Sequence, residues 1–451
     1  MRIHRLQLEN FRGFAALELD LSHGRTTALV GVNGSGKTSV LDAVAYLLAL
    51  AVARTGLGDD ATRLTLADVR AGAERCVVHG EFVWTPPPAA AKDELFADLE
   101  QGEASFVLRH ELAHRWDRWT HAQPDTPQTA SWAARWHDAL ARGVVLDAPM
   151  LATYSHERYV EAEEDVARGE LPSGPASLYA DHGWSRGARR EDFLRWFLLR
   201  EDLENELIRE RRDHVDPQLT AVRRAILSFL PDWTDLRFRR RPTREPGAAH
   251  IDFVVGRRPA LILRKGGTQL AFSQLSGGEQ GLLVLVGDIA RRLAITHPNL
   301  ADPLQGRGIV LIDEVELHLH PQWQRTLIPD LERTFPNLQF IVTTHSPQVL
   351  SLVPREQVKL LRDFRLVDEP PHTLGRDSNA ILYEVMGVDT YPPFSAAKVR
   401  AVARLIDEER WSEARAALAG LIEDFGPHDA EVVRLGSMMA FLAEDDDEAG
   451  G

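Results

Sequence analysis

The chain has a single cysteine, Cys76, among 451 residues. That excludes an internal disulfide and any Cys-x-x-C zinc hook. Lysine is scarce beside abundant arginine, a bias that carries no mechanism on its own. No apolar run approaches the roughly 18 residues that span a bilayer, and the first residues do not form a leader-like segment. The expectation is a cytoplasmic protein with no membrane contact. A hydrophobic content of 44% with 26% charge is ordinary for a globular chain. The net charge of −15 argues against the whole chain being a nucleic-acid binder. Arginines nevertheless crowd between Arg186 and Lys265, among them Arg209, Arg211, Arg212, Arg223, Arg224, Arg237 and Arg239 to Arg241. Glu201, Asp202, Glu204, Glu206 and Glu210 interleave with them, so a salt-bridged helix face and a nucleic-acid contact are both open.

What is present is phosphate chemistry. Gly31-Val32-Asn33-Gly34-Ser35-Gly36-Lys37-Thr38 has the Walker A pattern. The apolar run Thr27–Val30 before it reads as a buried strand, and Ser39–Leu48 after it reads as a helix. In that context the amides of Asn33, Gly34, Ser35, Gly36, Lys37, Thr38 and Ser39 turn inward on phosphate at the positive end of a helix dipole. Lys37 is placed to reach the β- and γ-phosphates of ATP, and Thr38 to hold Mg²⁺.

A second apolar strand, Ile309–Ile312, ends in Asp313-Glu314. The carboxyl end of a buried parallel strand is where α/β sheets bind ligands. Asp313 is placed to hold Mg²⁺ through water, and Glu314 to orient or deprotonate attacking water. The next strand, Phe340–Thr344, ends in His345, which can hydrogen-bond the γ-phosphate and that water.

Leu275-Ser276-Gly277-Gly278-Glu279-Gln280 completes the set. With the other two motifs, it makes the chain resemble ABC-type ATPases of the soluble kind found in SMC, RecF and overcoming-lysogenization (OLD) proteins. The resemblance implies an α/β P-loop NTPase fold: a mixed core sheet, an antiparallel β subdomain, a helical insertion and a C-terminal helical hairpin. It also implies that Ser276, Gly277, Gly278 and Glu279 act on ATP bound by a second copy, so that two subunits self-associate around the nucleotide. A Ser-capped helix start without bulky side chains suits such an anion.

Glu314–Pro321, Thr343–Pro347 and Gly375–Leu382 are more narrowly similar to the AAA-15/AAA-21 group, which includes Septu-type and retron-associated anti-phage ATPases and OLD nucleases. About 105 residues follow His345, without an H-N-H pattern or room for a Toprim domain. The expectation is therefore a regulatory ATPase with a separate nuclease subunit; the alternative is a RecF- or SMC-like repair ATPase that binds DNA directly. Roughly 240 residues separate Lys37 from Ser276, too few for coiled-coil arms and more than a transporter ATPase has by resemblance. His318 and His320, two apart, converge poorly on a metal and read as shaping the loop after Glu314.

The expected organisation is a Walker A lobe over 1–155 with a helical insertion near 115–148, a second lobe over 156–390, and a helical appendage with an acidic tail over 391–451. Trp116, Trp119, Trp132 and Trp136 recur near helical spacing and read as packing within that insertion. At the N-terminus an alternating strand ends in Asn10-Phe11-Arg12, where Arg12 and Phe11 are candidates for nucleotide contact or core packing. Gln101, Gln123 and Gln128 are equivalent candidates for the glutamine that links Mg²⁺ to the lobe interface.

Overall fold

The computed structural model describes residues 1–58, 63–85, 103–115, 118–124, 126–143, 147–155, 174–179, 190–239, 260–387 and 392–449. They form two compact units, Met1–Arg376 and Asp377–Gly451.

In chain order the first unit begins with β1 (Arg2–Phe11), β2 (Phe14–Asp20), β3 (Thr26–Val30), α1 (Lys37–Thr55), β4 (Arg75–Trp84), β5 (Ala104–Arg115), β6 (Arg118–Ala122), α2 (Pro127–Ala141) and β7 (Met150–Tyr154). It continues with α3 (Pro175–Tyr179), α4 (Arg190–Glu210), α5 (Pro217–Phe229), β8 (Trp233–Arg239), β9 (Ala260–Lys265), β10 (Thr268–Ala271) and α6 (Gly277–Thr296). Then come β11 (Gly308–Ile312), α7 (Pro321–Thr334), β12 (Leu338–Thr343), α8 (Pro347–Leu350), β13 (Val358–Arg362) and β14 (Arg365–Leu366).

The core sheet runs β14-β13-β3-β12-β11-β7. All its neighbours are parallel except β13 and β14, which makes it mixed by one short strand. β3, β11 and β12 are buried at every position, as expected where both faces of a parallel sheet are covered. Because β3, β12 and β11 lie side by side, the segments that follow them leave the sheet at one edge. A second, antiparallel sheet has the order β2-β1-β4-β5-β6, and β10-β9-β8 form a third.

α1 lies in one continuous core with residues from both larger sheets, including Leu6, Val78 and Phe106 on one side and Leu29, Leu311 and Ile341 on the other. Burial between two layers explains why it is apolar nearly all round. By length and composition α1 is long and apolar enough to cross a membrane, contrary to the expectation that no segment would be. Its place between two sheets accounts for that composition.

The 115–148 stretch is not helical throughout. Trp119 sits half-exposed on β6, an edge strand paired with β5, and among the described residues of the stretch only 127–141 is helix. An edge strand with little burial carries no apolar alternation to distinguish it. Trp132 and Trp136 do pack from α2: Trp132 stacks on Phe106 with centroids 4.1 Å apart, and Trp136 lies 5.7 Å from Trp84. Trp116 lies outside the described residues.

Between α4 and α5 the interleaved charges are paired. Arg223 donates to Glu201 at 3.0 Å and Glu204 at 2.9 Å, and both carboxylates are buried. Arg209, Arg211 and Arg212 are exposed, whereas Arg186, Arg189, Arg240, Arg241 and Arg244 lie outside the described residues.

The second unit holds α9 (Ser378–Met386), α10 (Pro393–Asp407), α11 (Trp411–Phe425) and α12 (Ala430–Ala449). Asp377 caps α9, accepting from the amides of Asn379 and Ala380. The expected hairpin is a three-helix cluster, since Val432 and Leu435 of α12 share a core with Val402, Ile406, Leu418 and Leu421. The backbone of α12 stays helical through the acidic run near the end of the chain.

Candidate nucleotide site

The loop leaving β3 is shaped by close approaches. Gly31 has φ 152°, and a Cβ there would lie 2.2 Å from the carbonyl oxygen of Leu361. Gly36 has φ 100° and precedes α1 without capping it through a side chain. The helix first uses the amide of Val40, which donates to Gly36 O at 3.1 Å. The amides of Lys37, Thr38 and Ser39 are therefore left over by the helix, the arrangement that binds anions. Ser35 is 2% exposed, and its Oγ has no hydrogen-bond partner among the described residues. Asn33 and Gly34 are exposed at the turn, where Ser35 N donates to Val32 O at 3.2 Å.

Lys37 is buried, and its Nζ donates to the carbonyls of Gly31 and Val32, each at 3.0 Å. Burial lowers its pKa from the ordinary lysine value, against the opposing pull of Asp313, Glu314 and Glu316. Thr38 Oγ1 stands 3.2 Å from Asp313 Oδ2 and 3.4 Å from Oδ1. The Walker A lysine, its hydroxyl neighbour and the acids after β11 thus share one site.

Asp313 is fixed from two sides. Its amide donates to Tyr154 O at 2.8 Å, and its Oδ1 accepts from Thr343 Oγ1 at 2.5 Å. The same Thr343 oxygen accepts from Glu314 N at 2.7 Å, while Val315 N donates to Thr343 O at 3.0 Å. Glu314 has φ 49°, a left-handed backbone unusual for a side chain of its kind. His345, half-buried at the end of β12, has its pKa lowered by burial and by Lys37, while Glu316, Glu314 and Asp313 oppose the shift. Its amide donates to Glu316 Oε1 at 2.6 Å.

Thr38 and Asp313 converge side by side and could together hold a divalent cation. Among the described residues no group of three or more His, Cys, Asp or Glu is arranged to hold a metal ion. Such a sparse set fits Mg²⁺, which keeps water and phosphate oxygens as its remaining ligands.

The Ser276 segment stands apart. Ser276 caps α6 in a reciprocal box: its Oγ accepts from Glu279 N at 3.3 Å, and Glu279 Oε2 accepts from Ser276 N at 3.0 Å and Oγ at 2.9 Å. Among the described residues no hydrogen bond or ion pair joins Ser276–Gln280 to the Gly31–Ser39 loop. A Cβ on Gly278 would lie 2.6 Å from His318 O, so the loop after Glu314 dictates glycine there. A Cβ on Gly277 would meet no atom within 4 Å. His320 in turn caps α7, accepting from Gln322 N at 3.3 Å.

Thr343 and Glu316 lie within the segments that carry the resemblance, and with the end of β7 they add contacts to the site that the motifs do not assign. The alternation of strand and polar terminus flagged His345 but not the threonine two residues earlier. Phe11 lies in the core, and Arg12 is held by Asp42 at 2.5 Å and Asp68 at 3.0 Å. Gln123 lies at the far end of α1, where its carbonyl accepts from Arg54 at 2.9 Å, and Gln128 opens α2. Gln101 lies outside the described residues. Beside Asp313 the strand order places Ser155, since Tyr154 is in register with Ile312.

The family described as "AAA domain, putative AbiEii toxin, Type IV TA system" (AAA_21) matches residues 26–351. The chain is 27% identical to the "Retron Ec83 probable ATPase" of Escherichia coli, over 96% of this chain and 86% of that protein. It is 20% identical to the "Septu protein PtuA" of Bacillus thuringiensis, over 90% of each. Among solved structures, the SMC head domain from Thermotoga maritima is 17% identical and covers 81% of this chain and 98% of its own, with a TM-score of 0.41. The family match takes in the phosphate loop, the α6 start, Asp313, Glu314 and His345 together, and the chain belongs to the AAA_21 family of P-loop ATPases.

Proposed function

We propose that this ATPase is a cytoplasmic, dimeric nucleotide switch that serves as the regulatory subunit of an anti-phage defence complex, with a nuclease on a separate polypeptide. The observation that carries the dimer is Gly277. Among the described residues a Cβ there would meet nothing within 4 Å, and no hydrogen bond or ion pair joins the capped helix start to the phosphate loop of the same chain. A phosphate from a second copy supplies both the ligand and the reason for an absent side chain.

In this reading the amides of Asn33 to Ser39 and the Lys37 ammonium hold the phosphates of ATP. Thr38 and Asp313 would hold Mg²⁺, which would supply charge neutralisation for the phosphates. Glu314 orients water and accepts its proton, and His345 fixes the water and the γ-phosphate from the neighbouring strand. Ser276, Gly277, Gly278 and Glu279 close the partner's site. The assignment to defence is supported by the names of the retron and Septu relatives. A second reading, a RecF- or SMC-like ATPase that binds DNA itself, draws on the exposed Arg209, Arg211 and Arg212. ATP-dependent DNA binding by the isolated chain would favour it.

Complementation tests the composite site. Lys37→Ala and Ser276→Arg should each abolish turnover alone. Mixed, they form dimers in which one site has both an intact Lys37 and an intact Ser276, so activity returns in part. A mixture as inactive as its components rules the composite site out.

A further inference from the structure

Glu316 lies two residues beyond Glu314, and the motifs assign it nothing. Two successive turns fold it back toward the sheet: Leu317 N donates to Glu314 O, and Leu319 N to Glu316 O, each at 2.9 Å. Its carboxylate is divided in use. Oε1 accepts the His345 amide at 2.6 Å, a short contact typical of a charged acceptor, while Oε2 is buried with no hydrogen-bond partner among the described residues.

The segment around His345 is otherwise anchored elsewhere. Thr344 N donates to Leu29 O at 3.3 Å, Ser346 N to Thr344 Oγ1 at 3.0 Å, and Ser346 Oγ to Gln324 at 2.7 Å. The amide of His345 alone depends on a carboxylate from the loop that carries Glu314. Thr343 already ties the end of β12 to Asp313, Glu314 and Val315, and the Glu316 bond extends that tie to the main chain of His345 itself.

We propose that Glu316 is a positioning residue for ATP hydrolysis: by holding the main chain of His345, it fixes the imidazole relative to Glu314 and Lys37. The inference rests on the reading of Lys37, Glu314 and His345 as an ATP site. The bond, not the charge, is what the role needs, because a glutamine oxygen at the same place accepts the same amide. Asp313, Glu314 and Lys37 remain in place when it is lost, so nucleotide binding should survive while the catalytic step suffers.

The test uses the full chain with wild type, Glu316→Ala, Glu316→Gln and Glu314→Gln in parallel. It measures steady-state turnover, Mg-ATP binding by calorimetry, and hydrogen exchange at the His345 amide. Glu316→Ala should lower kcat by about 10- to 100-fold, the scale of a small misplacement of a catalytic group. Its Kd for Mg-ATP should stay within about twofold. The His345 amide should exchange faster, and Glu316→Gln should restore both kcat and protection. Wild-type kcat in Glu316→Ala overturns the proposal, as does a Glu316→Gln protein as slow as the alanine variant, which would mean that the charge acts directly. If the alanine variant does not fold, the glutamine variant decides by the same two readouts. Absent wild-type hydrolysis, or full activity in Glu314→Gln, would instead sink the ATP-site reading itself.

Discussion

The hydroxyl of Thr343 donates to Asp313 Oδ1 at 2.5 Å and accepts the amide of Glu314 at 2.7 Å, so one side chain on β12 organises both acids that follow β11. Thr343 is fully buried, which leaves no water to replace it. Thr343→Val keeps the shape and deletes both bonds. It should cost about 1–3 kcal/mol of stability, the penalty of an unsatisfied buried donor, and lower turnover as well. Thermal unfolding and an ATPase assay check the two effects. Wild-type values in both would show that the hydroxyl organises nothing.

The two glycines at the start of α6 should part company. Gly278→Ala places a Cβ 2.6 Å from His318 O and should destabilise the fold. Gly277→Ala meets no atom within 4 Å and removes a poor helix former, so stability should hold or rise by up to about 1 kcal/mol. Its ATPase activity should nonetheless fall, because the missing side chain serves a neighbour's phosphate. Full activity in Gly277→Ala contradicts that.

Arg12 braces the phosphate-loop helix. It pairs with Asp42 on α1 and with Asp68, whose side chain is only 4% exposed. Arg12→Ala should cost about 1.5–3 kcal/mol, the range for hydrogen bonds to charged groups. Thr65 and Tyr46 still hold Asp68 and limit the loss. Denaturant unfolding measures it, and an unchanged midpoint would refute the brace.

Stability should fall in mild acid. Burial, helped by the α-amino group and Arg307, lowers the pKa of His297 to about 3. Its nitrogens are engaged by Thr296 Oγ1 at 2.9 Å and by the Arg307 amide at 3.0 Å. The unfolded chain, with a histidine pKa of about 6.5, takes up the proton first. Below that value the unfolded state binds more protons, so stability declines as pH falls from about 6.5 toward about 3 and is flat with respect to this group above it. His297→Gln should reduce the slope of unfolding free energy between pH 6.5 and 5. An identical slope in the variant would place the dependence elsewhere.

The sequence carried the fold best where burial is two-sided. Thr27–Val30, Ile309–Ile312 and Phe340–Thr343 read as strands because parallel strands covered on both faces leave continuous apolar runs. β6 was missed because an exposed edge strand has no such run. The apolar run of α1 extends past Leu48, since the helix continues to Thr55 between two sheets. Site residues with a motif were legible; those acting through others were not. Thr343 and Glu316 work by hydrogen bonds to residues 30 and 29 positions away, a relation that appears only once β11 and β12 lie side by side. The neighbour of Asp313 is hidden from the sequence in the same way, since Ser155 is brought there by pairing of β7 with β11 and by nothing local.

The proposed dimeric switch requires Ser276 to serve the phosphate of another copy. The direct measurement is the solution mass of Glu314→Gln, by light scattering after size exclusion, with saturating Mg-ATP and without nucleotide. A dimer that forms only with Mg-ATP, and that Ser276→Arg in the same background abolishes, is the predicted result. A Glu314→Gln protein that binds Mg-ATP and remains a monomer would contradict the account.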